Sequence, residues 1–320
     1  MPANKLYNQP LVISYQLSLC KFTQLHTVEQ NDSERPIRPL FSTPGMKLWL
    51  LIALHFGCYG ILTLLTRIEV FSWLQVDQET STPMISKLVN GIISVLLFLV
   101  PAIIFASAVM PERFDYYKLY RKVNVLPASI AALGIISSVF FIEVIYQWNV
   151  GLFTDPAMLD YYKARLEYSN WHNQMPGVFD LLVYLLSSAL APAVVEELFF
   201  RGGIQQLIMG WIKKPHVAIV ISALIFSFLH FDTFAFVPRL ILGIALGYLF
   251  WWSGSLRLSI IAHFIFNAFE IISEYCNQHW PRSWWAKLEV TYVMGVISLV
   301  VAVGAMLTVK NLLRRQTTPS

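Results

Sequence analysis

The chain has 320 residues, of which 56% are hydrophobic and 13% charged, with a formal charge of +4 and a mean hydropathy of +0.57. Soluble domains carry about 25% charged residues, so this composition excludes an ordinary water-facing globule. The small positive charge reads as a membrane-topology signal and gives no footprint for nucleic acid. The apolar residues come in blocks near the roughly 20 residues a helix needs to cross a bilayer. Short alternating segments of the β-barrel kind are absent from the sequence. The expected fold is therefore an all-α, polytopic transmembrane bundle of about eight spans, in contact with membrane lipid.

Residues 1–45 are polar and mixed, with no charged-then-apolar leader pattern. They read as a cytoplasmic extramembrane segment. Spans follow near 46–66, 84–110, 126–147, 178–210, 217–231, 235–252, 256–276 and 288–309. The segment 148–176 between the third and fourth spans reads as an external loop. Residues 46–177 thus form an N-terminal helical part, 178–276 the part that carries the chemistry, and 277–320 a last span and a cytoplasmic tail. Pro192 interrupts the fourth span, and a kink is expected there. Cys20, Cys58 and Cys276 are far apart and show no metal-finger spacing, which reads as buried, reduced thiols.

Lysine and arginine set the orientation. With the N-terminus in the cytoplasm, fifteen of the 23 Lys and Arg fall on that side and six on the other, while Arg201 and Arg239 lie inside spans. The positive-inside rule then puts both termini in the cytoplasm. In a bacterium the site would be the plasma membrane.

Ionisable groups inside apolar spans are costly and mark function by default. The fourth span contains Glu196, Glu197 and Arg201, the fifth ends at His230, and the seventh contains His263 and Asn267. Glu197 and Arg201 are four apart and share a helix face. Glu196 is turned away by roughly 100°. His263 and Asn267 also face one way. A carboxylate beside a histidine can hold and deprotonate a water. A second histidine with an amide can donate to a developing oxyanion. The set therefore suits hydrolysis. Taken singly, each member has a plainer reading: Glu197–Arg201 as a structural pair, a lone histidine as a satisfied packing residue. His55 and His216 keep that plainer reading, and Phe226 reads as packing. Glu270 carries no role, and Glu143, Asp180, Arg239 and Glu274 read as interfacial or inter-helix contacts.

The order Glu196-Glu197-x-x-x-Arg201, Phe226-x-x-x-His230, His263-x-x-x-Asn267 resembles the three motifs of the CPBP family. That family groups type II CAAX prenyl endopeptidases with bacteriocin-processing and abortive-infection relatives. The resemblance covers about residues 178–276. It implies an intramembrane endopeptidase acting on a membrane-anchored protein or peptide. Glu196 would be the base that activates water, and His230 would hold that water. His263 and Asn267 would form the oxyanion hole, with Glu197 and Arg201 as a supporting pair. A divalent metal such as zinc stays open as an alternative, with Glu196, His230 and His263 as its ligands. The zincin His-Glu-x-x-His pattern is absent from the sequence. Two other readings stand beside the peptidase. One is a non-catalytic binding or immunity protein of the same family. The other is a transporter, against which the lack of repeated broken helices argues.

Overall fold

Four helices open on proline, where its missing N–H costs nothing: they start at Pro44, Pro83, Pro156 and Pro215. The computed structural model describes residues 43–65, 81–109, 122–283 and 288–317. Nearly all of the expected 1–45 segment, together with Cys20 and the basic stretch Arg113–Arg121, lies outside those residues. In chain order the helices are α1 Pro44–Leu65, α2 Pro83–Val109, α3 Val125–Gly151, α4 Pro156–His172 and α5 Val178–Ile212, then α6 Pro215–Phe228, α7 Phe236–Ser253, α8 Leu256–His279 and α9 Tyr292–Thr317. Among the described residues every regular element is helical. The chain is a polytopic helical membrane protein.

Among the described residues seven helices are long and apolar enough to cross a membrane: α1, α2, α3, α5, α7, α8 and α9. The expected fifth span is α6, which has 14 residues. At 1.5 Å per residue it reaches about 21 Å, short of the ~30 Å hydrocarbon core. It stops at Phe228 because the chain turns there: Phe231 adopts a left-handed φ of 51°. Asp232 then accepts from the backbone N–H groups of Phe234 and Ala235, and Ser227 Oγ donates to the Phe236 carbonyl. Asn149, at the end of α3, donates to the carbonyls of Thr233 and Phe234 and accepts from Val237 N–H. The turn is thereby fixed on both sides.

The interruption expected at Pro192 takes a particular form. Helix α5 runs through it, but widens into π-turns at Leu185–Leu190 and Leu198–Gln205, on either side of an α-helical stretch Ala191–Glu197. A proline ring clashes with the carbonyl four residues back, and the wider turn before it gives the ring room.

Two cores build the bundle. In the first, Leu51 of α1, Phe98 and Phe105 of α2, Phe199 and Phe200 of α5 and Phe226 of α6 pack together. In the second, Ile135 of α3, Leu246 of α7, Leu258 and Phe266 of α8 and Val309 of α9 pack together. Lipid tails are as apolar as these side chains, so close packing holds the halves rather than transfer from water. The halves meet where α5 packs on α8 and where α6 packs on α7.

Candidate active site

Close backbone approach positions the site. A Cβ on Gly243 would lie 3.0 Å from Ala223 Cβ, and one on Gly247 would lie 2.8 Å from Gln205 Oε1. Gly243-x-x-x-Gly247 therefore gives α7 a bare face on which α5 and α6 settle. Two side chains of α5, four residues apart, use it in parallel. Arg201 Nη2 donates to the Gly243 carbonyl at 3.0 Å, and Gln205 Nε2 donates to the Gly247 carbonyl at 3.0 Å.

Arg201 is 1% exposed and Glu197 is fully buried, and Arg201 Nη1 donates to Glu197 Oε1 at 2.7 Å. The guanidinium also lies 4.7 Å from the centre of the Phe226 ring. Its charge is thus matched by a carboxylate, a carbonyl and a ring face. The same Glu197 Oε1 accepts from His263 Nδ1 at 2.9 Å. Because Nδ1 carries that proton, the ring's other nitrogen, Nε2, is directed elsewhere.

That direction is Glu196. Its Oε2 stands 3.9 Å from His263 Nε2 and 3.9 Å from His230 Nε2. Both gaps exceed hydrogen-bond length. His230 is on the turn just after α6, and its Nδ1–H donates to the Phe226 carbonyl at 2.7 Å. A carbonyl only accepts, so in neutral His230 the Nε2 is an acceptor. Phe226 packs edge-on against both rings, at 4.8 Å from His230 and 6.0 Å from His263. The structure thus brings together Glu196, Glu197, Arg201, His230 and His263. Asn267, one turn beyond His263 on α8, lines the same cavity.

This cavity has a volume of about 540 Å³ and is walled by residues of α3, α5, α6, α7 and α8. It reaches from Glu196 and His263, near the middle of their helices, toward Tyr184 and Asn173 at the α4 end. Glu143, Glu270, Glu274 and Arg239 also line it, so these residues face the site and are more than helix-end contacts. Arg239 Nη2 donates to Asp232 Oδ2 at 3.1 Å, and Arg165 of α4 donates to the same oxygen. The second Arg239 terminal nitrogen is buried without an acceptor. The sequence signal for Arg239 was its place inside a span. Asp232 offered only its position two residues after His230.

A metal held by nitrogen and oxygen sits about 2.0–2.2 Å from each donor. Glu196 Oε2 stands 3.9 Å from the Nε2 of each histidine, somewhat wider than the roughly 3.4 Å between neighbouring donors of a tetrahedral shell. Among the described residues no three His, Cys, Asp or Glu side chains are grouped to hold a metal ion, and no step below is routed through one.

Residues 178–269 match the family described as type II CAAX prenyl endopeptidase Rce1-like. The chain carries an Rce1-like domain. The match contains all three motifs, from Glu196 to Asn267, and so agrees with the resemblance read from them. It covers under a third of the 320 residues. No curated protein and no solved structure matches the chain. The match supports an intramembrane protease of the CAAX type in general terms, and the matched helices α5 to α8 line the cavity together with α3.

Proposed function

We propose that the protein is an intramembrane endopeptidase that cuts a membrane-anchored protein or peptide with a glutamate-activated water. The observation that carries this reading is the position of Glu196 Oε2, equally far from two histidine nitrogens on the wall of a cavity within the membrane. A gap of 3.9 Å is too long for a direct hydrogen bond and fits a water bridging Glu196 and the Nε2 of His230.

In the first step Glu196 takes a proton from that water while the oxygen adds to the scissile carbonyl carbon. The carbonyl oxygen becomes an oxyanion. His263 Nε2–H and the Asn267 side-chain amide donate to it. With Nδ1–H committed to Glu197, His263 offers Nε2–H only as imidazolium, and the Glu197 carboxylate supports that charge. Arg201 pairs with the Glu197 carboxylate and fixes its position. In the second step Glu196 returns the proton to the leaving nitrogen as the C–N bond breaks. Glu196, His230, His263 and Asn267 act on substrate or water, whereas Glu197 and Arg201 position. Both termini are placed in the cytoplasm on the Lys and Arg asymmetry.

Purified protein with a panel of lipidated and unlipidated membrane peptides tests this, with products read by mass spectrometry. Cleavage that survives a chelator and disappears in Glu196→Gln is expected. Cleavage lost to the chelator would replace the metal-free step with a metal-dependent one. No cleavage across the peptides and the host's membrane proteins would favour the non-catalytic binding reading.

A further inference from the structure

A second cavity, of about 730 Å³, lies between α3, α7 and α9 at the end of the bundle away from α4. Its walls and its rim differ in chemistry. The walls are apolar and include Ile135, Phe141, Ala245 and Leu299. At one end the lining turns cationic and aromatic. On α9, Ala302, Met306, Lys310 and Arg314 recur every four residues and all line the cavity, so a single helix face passes from apolar to basic. On α7 the same change runs from Ile241 and Ala245 to Tyr248 and Trp252.

These ends meet. Lys310 Nζ lies 5.7 Å from the Trp252 ring centre. His216 Nδ1 and the Tyr248 hydroxyl are hydrogen-bonded at 2.7 Å. Trp252 Nε1–H is buried with no acceptor, which leaves a donor for an incoming oxygen to meet. Among the described residues lining the cavity none is acidic. The catalytic cavity, by contrast, is lined by Glu143, Glu196, Glu270 and Glu274.

We propose that this cavity binds an anionic glycerophospholipid, with its acyl chains along the apolar walls and its phosphate at Lys310 and Arg314. Three features select that occupant. The cavity opens among membrane-spanning helices, so bilayer lipid is its local solvent. Its polar end carries the Trp and Tyr typical of the headgroup level. Its charge is of one sign, and basic pockets between transmembrane helices bind anionic headgroups. The cavity is a binding site separate from the catalytic one, and Ile142 and Leu242 form a wall common to both.

The test is lipid retention by the full chain, read by native mass spectrometry and by the shift in melting temperature, and needs no peptidase assay. Phosphatidylglycerol, phosphatidylcholine with the same acyl chains, and glycerol 3-phosphate are the probes. Phosphatidylglycerol is expected to bind at least about tenfold more tightly than phosphatidylcholine. The double variant Lys310→Gln/Arg314→Gln is expected to weaken it by about 10- to 30-fold. Ala245→Phe, which fills the apolar part, should weaken both lipids. Equal binding of the two lipids, or retention unchanged in the double variant, would overturn the proposal. Competition by glycerol 3-phosphate as strong as that of phosphatidylglycerol would make this a site for a free phosphate ester and would equally overturn it. Should Ala245→Phe fail to fold, the double variant decides alone, since it leaves the apolar walls untouched.

Discussion

Before residue 178, three buried polar side chains, His55, Lys87 and Asn149, close on backbone carbonyls. His55 Nδ1 meets the Leu97 carbonyl at 2.9 Å, Lys87 Nζ donates to the Gln174 carbonyl, and Asn149 donates to the carbonyls of Thr233 and Phe234. At the candidate site, after residue 178, the carboxylates of Glu196 and Glu197 face other side chains instead. Glu197 takes Arg201 and His263 on one oxygen, and Glu196 stands 3.9 Å from two histidines. A buried polar group whose partner is a carbonyl stabilises a packing arrangement. One that stops short of two partners leaves room for a water and a substrate. The difference separates structural groups from chemical ones, and substitutions on both sides can break it.

The largest expected effect on stability is at Arg201. Arg201→Met leaves the Glu197 carboxylate buried beside no arginine, and should cost about 3–5 kcal/mol in denaturant or thermal unfolding. Adding Glu197→Gln should recover part of that loss. Next comes His263→Gln, which removes a donor from the proposed oxyanion position. It should lower kcat by about 10²–10³ in a peptide-cleavage assay. On the other side, Lys87→Met should cost about 1–2 kcal/mol of stability and leave kcat within a few-fold. A collapse of activity there would erase the distinction between the two regions.

The smallest effect is a pH dependence outside the membrane-spanning helices. His172, on α4, is hydrogen-bonded to Ser86 Oγ at 2.7 Å and stacks on Tyr168, with Tyr184 edge-on. Burial, helped by the nearby Lys87 charge, pushes its pKa down from 6.5 to about 4. The unfolded chain then binds the extra proton first. The contribution of His172 is complete above pH 6.5 and is lost as pH falls from 6.5 toward 4. Melting curves at pH 7.5 and 5 should show a slope that His172→Gln reduces. An unchanged slope would mean that another group carries it.

Much of this site was legible in the sequence. An ionisable residue inside an apolar span is rare enough to single out Glu196, Glu197, Arg201 and His263, and helical spacing paired Glu197 with Arg201 correctly. What was not legible depends on how helices rotate against one another. Nothing in the sequence says that His263 turns one nitrogen to Glu197 and the other to Glu196, because that depends on the roll of α8 against α5. The run from Arg165 through Asp232 to Arg239 joins residues 67 and 7 positions apart, and only the third dimension connects them. Gly243 and Gly247 were visible as residues, but their role in receiving Arg201 and Gln205 appears only once α5 lies across α7. The fifth span was read a little too long, because hydropathy continues through Leu229 and Phe231 while the backbone has already turned.

The most direct measurement compares Glu196→Gln with Glu197→Gln in two readouts, peptide cleavage and melting temperature. Two neighbouring glutamates differ here only in what surrounds them. Glu196→Gln is expected to lose about 10²–10⁴ in rate, the usual contribution of a general base, and to melt near the wild type. Glu197→Gln is expected to melt well below it, since Arg201 then lacks its counter-charge. A Glu196→Gln protein that still cleaves at the wild-type rate would contradict the account at its centre.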